Sequence, residues 1–351
     1  MPSIVKPFVP QLDLPRNAIG LTVREYEGSM STLCAGCGHD SITAALVRAL
    51  WELAVEPHMI AKLSGIGCSS KTTAYFVRGA HGFNSVHGRM AAIATGAVAA
   101  NRDLLYVGVS GDGDSLSIGL GQLCHAMRRN VRMLYIIENN GVYGLTKGQF
   151  SASADIGSTM KKGAANPMPP IDPVMLGLAS GATFLARSFS GDKEQLVPIL
   201  KAAAAHRGFA LVDVISPCVT FNDHEGSTKS YRYTRQHEVR ATEADFIPLR
   251  DEITAGIPAD GARSVRMHDG SVLTFRSLPE GYDPGDRARV VEYLQERHAA
   301  GEVATGILYV DESVPDLHEL NHTSDRPLVQ VPFGELSPGA AALADIQRGW
   351  R

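Results

Sequence analysis

Two apolar runs limit what this chain can fold into: LLYVGVS at 104–110 and VRMLYIIE at 131–138. Neither alternates polar with apolar residues, so each reads as a strand buried on both faces. Between them, from about Leu116 to Arg128, the pattern is helical. Strands covered on both sides and separated by helices make a parallel, doubly wound sheet. The series extends both ways. SITAALVRALWEL, capped by Asp40 or Ser41, places Ile42, Leu46, Ala49, Leu50 and Leu53 on one helical stripe. MIAKLSG reads as a short strand and RMAAIATGAVAA as a small-residue helix. After a loop at 151–172 rich in Ser, Gly and Pro come a helix near 173–180, the strand TFLARS, a helix at 192–206 and the strand FALVDVIS. The class is therefore α/β with a mostly parallel sheet, and ligands of such sheets sit beyond the carboxyl ends of the strands.

The ends differ from this middle. Residues 1–30, where proline and polar residues dominate, read as an extended N-terminal arm, 31–220 as the main domain and 221–351 as a C-terminal extension. In the extension SVRMHDGSVLTF forms a hairpin about Asp269-Gly270, RARVVEYLQERHAAG an amphipathic helix and GILYVDES a last strand, followed by an irregular tail. A net charge of −4 over 351 residues argues against a general nucleic-acid binder. The longest nearly apolar stretch, Met90 to Ala100, is too short to span a bilayer, and the start MPSIVKPFVPQLDLPRN has no apolar secretory core, so the expected place is the cytoplasm.

GDGDS at 111–115 follows a strand and opens a helix, which makes an anion site from backbone N–H groups and the helix dipole. The dinucleotide fingerprint fails, because Gly111 and Gly113 are followed by Leu116 where a third glycine is required. Asp112 would repel a diphosphate unless a divalent cation lay between them, and magnesium bridges protein oxygens to phosphates in this way. At the end of the next strand stand Asn139 and Asn140. Asp112, the Asn140 amide oxygen and the Val142 carbonyl are then the candidate magnesium ligands. GDG followed at this spacing by NN resembles the thiamine diphosphate motif; a structural turn and a surface Asn pair are the bland alternative.

Five cysteines are too few for a disulfide scaffold. Cys34 and Cys37 form LCAGCGH, Cys68 lies in GIGCSSK and Cys218 in SPCVTFND, all turns where thiolates can converge on a metal. Cys124, on the helix after GDGD, reads as a small apolar residue. Four ligands suit a cubane iron–sulfur cluster or a zinc ion, and spacing alone leaves both open, free cysteines as well. Thiamine chemistry favours the cluster, since decarboxylating a 2-oxo acid leaves electrons that need an acceptor. GIGCSSKT imitates a phosphate-binding loop, but Ser70 replaces the glycine before Lys71.

With CAGCGH, SGIGCSS, HGRMAAIATG, SGDGDSLSIG, ENNGVYGLTKGQFS and SPCVTFNDHEGSTKSY in this order, the chain resembles the β subunits of 2-oxoacid:ferredoxin oxidoreductases over about 30–235. The resemblance, nearest to the 2-oxoglutarate branch, implies a thiamine diphosphate-binding fold with thiamine diphosphate, Mg2+ and one [4Fe-4S] cluster. It implies oxidative decarboxylation of 2-oxoglutarate to succinyl-CoA, reversible, with coenzyme A as co-substrate and ferredoxin as electron acceptor; pyruvate or another 2-oxo acid is the alternative substrate. Cluster ligands would be Cys34, Cys37, Cys68 and Cys218. Asp112, Asn140 and Val142 would hold magnesium, Gly111, Gly113 and Asp114 would meet the diphosphate, and Gly65, Ile66, Gly67, Tyr143, Gly144 and Leu145 would lie beside the cofactor. Glu138 stands where an apolar residue is expected, and Ala35 replaces a more usual proline.

A carboxylate must activate the thiamine, and no motif here offers one. The resemblance places it on an α subunit, so the chain is expected to be inactive alone and to work as αβ or (αβ)2. Lys147 is the candidate partner of the 2-oxo acid carboxylate, against a solvated loop lysine. Arg89 or Lys71 would meet the second carboxylate of a dicarboxylate, while His39 and His87 flank glycine turns near cofactor or substrate. Lys161 and Lys162 are candidates for coenzyme A phosphates, and KSYRYTRQHEVR at 229–240 for docking an acidic ferredoxin. Two rivals complete the field: a cluster-free thiamine decarboxylase or acyl transferase, and a zinc-stabilised binding protein.

Overall fold

The computed structural model describes residues 14–159, 164–248 and 263–350. Helix and strand alternate as the apolar runs require. α1 (Gly38–Glu52), β1 (Ile60–Ser64), β2 (His81–Asn84), α2 (Met90–Ala100), β3 (Leu105–Gly111), α3 (Leu120–Arg128) and β4 (Met133–Asn139) form the first half. A small hairpin of β5 (Val142–Tyr143) and β6 (Gln149–Phe150) leads to α4 (Pro173–Ser180), β7 (Phe184–Phe189), α5 (Lys193–Ala205) and β8 (Phe209–Ile215). The remainder holds α6 (Tyr231–His237), β9 (Glu238–Arg240), β10 (Glu243–Ile247), β11 (Arg263–Arg266), β12 (Val272–Ser277), α7 (Arg287–Ala299), β13 (Val303–Val310), α8 (Leu317–Asn321), α9 (Phe333–Leu336) and α10 (Gly339–Gly349).

Among the described residues eight strands join in the order β2-β1-β3-β4-β8-β7-β13-β9. The first six run parallel. β13 pairs antiparallel with β7, and β9 lies parallel to β13. The mostly parallel doubly wound sheet is as expected. The boundary at 220 is not, because two strands of the supposed extension complete the main sheet and only β10, β12 and β11 form a separate antiparallel sheet. β4 explains why its sequence does not alternate. Leu134 and Ile136 pack toward α1 and α5 on one face, while Tyr135 and Ile137 pack toward α2, α3 and α4 on the other. Truncating a fully buried side chain such as Ile136 to alanine costs about 2–5 kcal/mol.

Three further expectations change. The described part of the arm folds back onto the body: Tyr26 is fully buried, its hydroxyl donates to the Val55 carbonyl at 2.8 Å, and Leu21 and Val23 pack against the core. The helix expected over 116–128 is split into a π-helical turn, Gly113–Ile118, and α3, with Gly119 between. A Cβ on Gly119 would stand 2.8 Å from the Asp114 carbonyl and 3.0 Å from Gly88, so glycine lets two loops touch. The irregular tail carries α8, α9 and α10, the last two with no buried residue. No helix among the described residues is long and apolar enough to cross a membrane.

Candidate functional site

β3 and β4 are paired so that Gly111 faces Glu138 across the ladder, and the turns after them open at one edge of the sheet. Asp112 stands there, 1 % exposed. Its Oδ2 accepts from the Gly141 amide at 2.9 Å, from Ser153 Oγ at 2.7 Å and from Ser151 Oγ. Burial raises the carboxyl pKa above its ordinary value, and the two serine hydroxyls pull against that rise. Oδ1 has one long contact, 3.5 Å from the Asn140 amide. Asn140 is turned in the same direction by two bonds: its Oδ1 accepts from the Val142 amide at 3.0 Å and its carbonyl from Asn222 Nδ2 at 2.8 Å. Gly141 must be glycine, since its φ is +77° and a Cβ would meet Asn222 Nδ2 at 2.7 Å. An under-used carboxylate oxygen, an amide oxygen and a carbonyl are the hard oxygen donors that suit magnesium beside a diphosphate.

Asp114 does a different job. Its Oδ1 accepts from the Gly88 amide at 2.8 Å and its Oδ2 from Ser110 Oγ at 2.9 Å, so the carboxylate points inward and staples the 85–89 loop to the turn. Its backbone N–H is the group that would face a diphosphate. Tyr143 closes the other side, its hydroxyl donating to the Gly113 carbonyl at 2.9 Å, and a Cβ on Gly113 would lie 2.5 Å from the Tyr143 ring. Gly65 is buried against this turn, Ile66 and Gly67 follow it half-buried, and Leu145 is exposed on the rim.

The cysteine loops meet at the same place. A Cβ on Gly144, two residues after Val142, would lie 3.4 Å from Cys68 Sγ and 3.8 Å from Cys218 Sγ. Thr220 Oγ1 contacts Cys34 Sγ at 3.5 Å, and the Gly38 amide donates to the Pro217 carbonyl at 3.3 Å, which ties the CxxC turn to the Cys218 loop. Burial pushes the Cys37 thiol up to about 12, with Glu138 and Cys218 adding to it. Cys68 and Cys218 are raised by burial first and then by neighbouring thiols. Such mutual suppression is what a cationic centre relieves when it displaces the thiol protons. No three His, Cys, Asp or Glu side chains among the described residues gather as one metal ion needs. A cubane, with one thiolate at each of four irons, spreads its ligands around a larger body than a single zinc ion does, and the four cysteines stand on three loops. Cys124 packs partly against the α2–α3 side of the core, away from these loops.

Lys147, His87 and Arg89 are all exposed, and Arg89 Nη1 reaches the Gly88 carbonyl and Gln122 Oε1, each at 3.3 Å. Lys147 holds a φ of +84°, uncommon for a residue with a side chain. Lys71 is half-buried beside Cys68, whose thiol it favours in the charged form. His39 is buried, with Nδ1 2.6 Å from Ser216 Oγ and 3.6 Å from Glu138 Oε2, and burial lowers it to about 4. Lys161 and Lys162 lie outside the described residues. Sequence reasoning missed Ser151, Ser153 and Asn222: single polar residues in polar loops carry no periodic signal, and only the tertiary fold turns them onto Asp112 and Asn140.

Residues 65–214 match the family described as thiamine pyrophosphate enzyme, C-terminal TPP binding domain. A β subunit of 2-oxoacid:ferredoxin oxidoreductase from Sulfolobus sp is 34 % identical over 315 residues, 89 % of this chain and 93 % of that one. A second such β subunit, from Aeropyrum pernix, is 41 % identical over 84 % of this chain and 94 % of its own. The 2-oxoglutarate oxidoreductase subunit KorB of Mycobacterium tuberculosis is 44 % identical over 191 residues, which span 51 % of that relative's length. Among solved structures, the 2-oxoglutarate:ferredoxin oxidoreductase of Magnetococcus marinus, with 2-oxoglutarate, coenzyme A and succinyl-CoA bound, matches with a TM-score of 0.69 and 30 % identity, over 87 % of this chain and 92 % of that one.

Proposed function

The chain belongs to the β subunits of the 2-oxoacid:ferredoxin oxidoreductases, and from that premise we propose that it carries out coenzyme A-dependent oxidative decarboxylation of 2-oxoglutarate to succinyl-CoA, with ferredoxin as electron acceptor. The observation that carries this reading is Gly144. Two residues past Val142, at the end of the oxygen-donor set, Gly144 lies against two cysteine sulfurs, so the place for a diphosphate cofactor and the place for a cluster share one loop. Thiamine diphosphate supplies the decarboxylation chemistry when bound, and a [4Fe-4S] cluster supplies the electron path. Asp112, Asn140 and Val142 would hold the magnesium, and Cys34, Cys37, Cys68 and Cys218 the cluster.

The protein's own contributions follow from the geometry. Gly113 and Asp114 present amides at the start of the π-helical turn, where the unpaired N–H groups attract phosphate charge. Tyr143 and Gly65 keep that turn in place from opposite sides. Lys147 stands past the cofactor loop and would orient a substrate carboxylate, and Arg89 is the candidate for a second one. No acidic side chain among these residues is placed as the thiamine-activating carboxylate, which supports assigning it to an α subunit. The choice of 2-oxoglutarate over pyruvate rests on the dicarboxylate named in two of the similar proteins.

Anaerobic co-purification with the α partner tests the whole reading. About four irons, four sulfides and one thiamine diphosphate per αβ pair are expected, with ferredoxin reduced fastest on 2-oxoglutarate. Zinc in place of iron removes the redox function, and faster reduction on pyruvate removes the substrate.

A further inference from the structure

Asp112 is held by more than its own loop. Ser153 Oγ, 2.7 Å from Asp112 Oδ2, also lies 2.8 Å from Asn139 Oδ1. Asn139 Nδ2 donates to Asp213 Oδ1 at 3.0 Å, and the other oxygen of Asp213 accepts from Arg187 Nε at 2.7 Å. Arg187 Nη2 then donates at 2.7 Å to Asp172, whose Oδ1 also caps α4 through the amides of Val174 and Met175. The chain of bonds crosses three adjacent strands, β4, β8 and β7, and Arg187 sits directly opposite Asp213 in the ladder. Asp213 is buried and the Arg187 side chain is 11 % exposed. A cavity of about 170 Å³, bordered by Lys229, Tyr233 and His298, lies beside Arg187, so the two carboxylates fix the guanidinium where packing does not.

We infer that Arg187 and Asp213 are positioning residues for the metal and diphosphate end of the cofactor, acting on Asp112 through Asn139 and Ser153. The inference rests on the reading of Asp112 as a magnesium ligand. Its physical basis is a shortage of protons. Ser153 has one hydroxyl hydrogen and three oxygens within reach that can accept it, Asp112 Oδ2, Asn139 Oδ1 and, at 3.1 Å, Ser151 Oγ. Asp213 holds Asn139 with its amide nitrogen outward, which leaves Asn139 Oδ1 facing Ser153. Before metal binds, the carboxylate of Asp112 takes that hydrogen as the stronger acceptor. A divalent cation drawing charge from Asp112 lets the hydroxyl turn to Asn139, so the relay stabilises the metal-loaded arrangement. Arg187 keeps Asp213 pointed at Asn139, and outer partners of this kind typically change metal affinity 10- to 100-fold when altered.

The test uses the αβ complex stripped of metal and cofactor. Mg2+ is titrated at fixed thiamine diphosphate, and the thiamine retained after gel filtration is assayed. Ser153→Ala and Arg187→Lys are each expected to raise the Mg2+ midpoint about 10- to 100-fold. The double variant is expected to shift it no further than the larger single change, because both break one line of bonds. Asp213→Asn, of equal volume, asks the same question if Arg187→Lys does not fold. A wild-type midpoint in Arg187→Lys or Asp213→Asn, whatever the melting temperature, overturns the inference, as does a double variant whose effects multiply. Asp112→Asn separates the two levels: wild-type Mg2+ dependence there brings down the magnesium reading itself, whereas its loss beside a normal Arg187→Lys brings down the relay alone.

Discussion

A Cβ on Gly65 would stand 2.3 Å from both Asp114 Oδ2 and Ser110 Oγ, and neither can retreat without breaking the bond between them. Gly65→Ala should therefore release the staple that Asp114 makes to the Gly88 amide and weaken thiamine diphosphate retention at least about tenfold, a loss of about 1.4 kcal/mol. Iron content should stay unchanged, since the atoms that a Cβ here meets belong to Asp114 and Ser110; a variant that retains thiamine normally would show that the turn tolerates the shift. Lys147 makes the opposite case. With φ at +84° it occupies a conformation that costs a side chain about 1 kcal/mol and costs glycine nothing. Lys147→Gly should melt no lower than wild type, yet the KM for the 2-oxo acid should rise about tenfold, because strain is retained where a site uses it. An unchanged KM would take Lys147 out of substrate binding and leave it a solvated loop residue.

At the scale of elements, the strands were readable because burial on both faces leaves a run with no polar interruption, as Leu134 to Ile137 illustrate. The site was readable where chemistry forces a residue type, at Asp112, Asn140 and the four turn cysteines. What could not be read is what tertiary pairing alone decides. β9 and β13 belong to the main sheet because Val303, Ala304 and Thr305 pair with Glu238, Val239 and Arg240, 65 residues away in each case, and no local pattern announces that. Glu312, just past β13, binds such distant pieces together. Its Oε1 accepts from His206 after α5, and its Oε2 accepts from the His268 amide in the β11–β12 turn at 3.2 Å. Burial alone would raise the Glu312 carboxyl; the bonds from His206 and His268 outweigh it and bring the group down to about 2. A depressed carboxylate contributes stability above its ordinary pKa and loses it as pH falls through the folded value. Glu312→Gln should thus be destabilised by about 1–2 kcal/mol near pH 6 after allowance for solvent screening. The gap in melting temperature should close between about pH 4.5 and pH 2; a gap independent of pH would mean that the histidine bonds, not the charge, account for it.

For the whole molecule, two surfaces beside the site differ in character. α6 lies against the CxxC turn, with Tyr231 Oη donating to the Gly36 carbonyl at 3.1 Å and Arg235 placed over the Tyr231 ring at 5.5 Å. If this is where an acidic ferredoxin docks, its reduction rate should fall steeply between about 50 and 200 mM salt, and a flat response would move the docking surface elsewhere. On the opposite side, the edge strand β2 is exposed along its length, and Phe83, Val86 and Ile118 show 42 %, 69 % and 44 % of their surface beside the Gly88 and Asp114 contact. Exposed apolar side chains at the rim of the site suit contact with a second subunit, and the proposed function assigns the thiamine-activating carboxylate to that subunit. Burying each is worth about 1.5–3 kcal/mol, and a carboxylate set among them would be desolvated without a partner. Val86→Asp should consequently lower the affinity for the α subunit at least about tenfold in a titration by sedimentation or interferometry. Because Val86 is 69 % exposed and carries no cysteine ligand, the isolated variant should keep its normal iron content. Wild-type association in Val86→Asp and Phe83→Asp together would place the α subunit on another face, and the activating carboxylate would then have to reach the site from there.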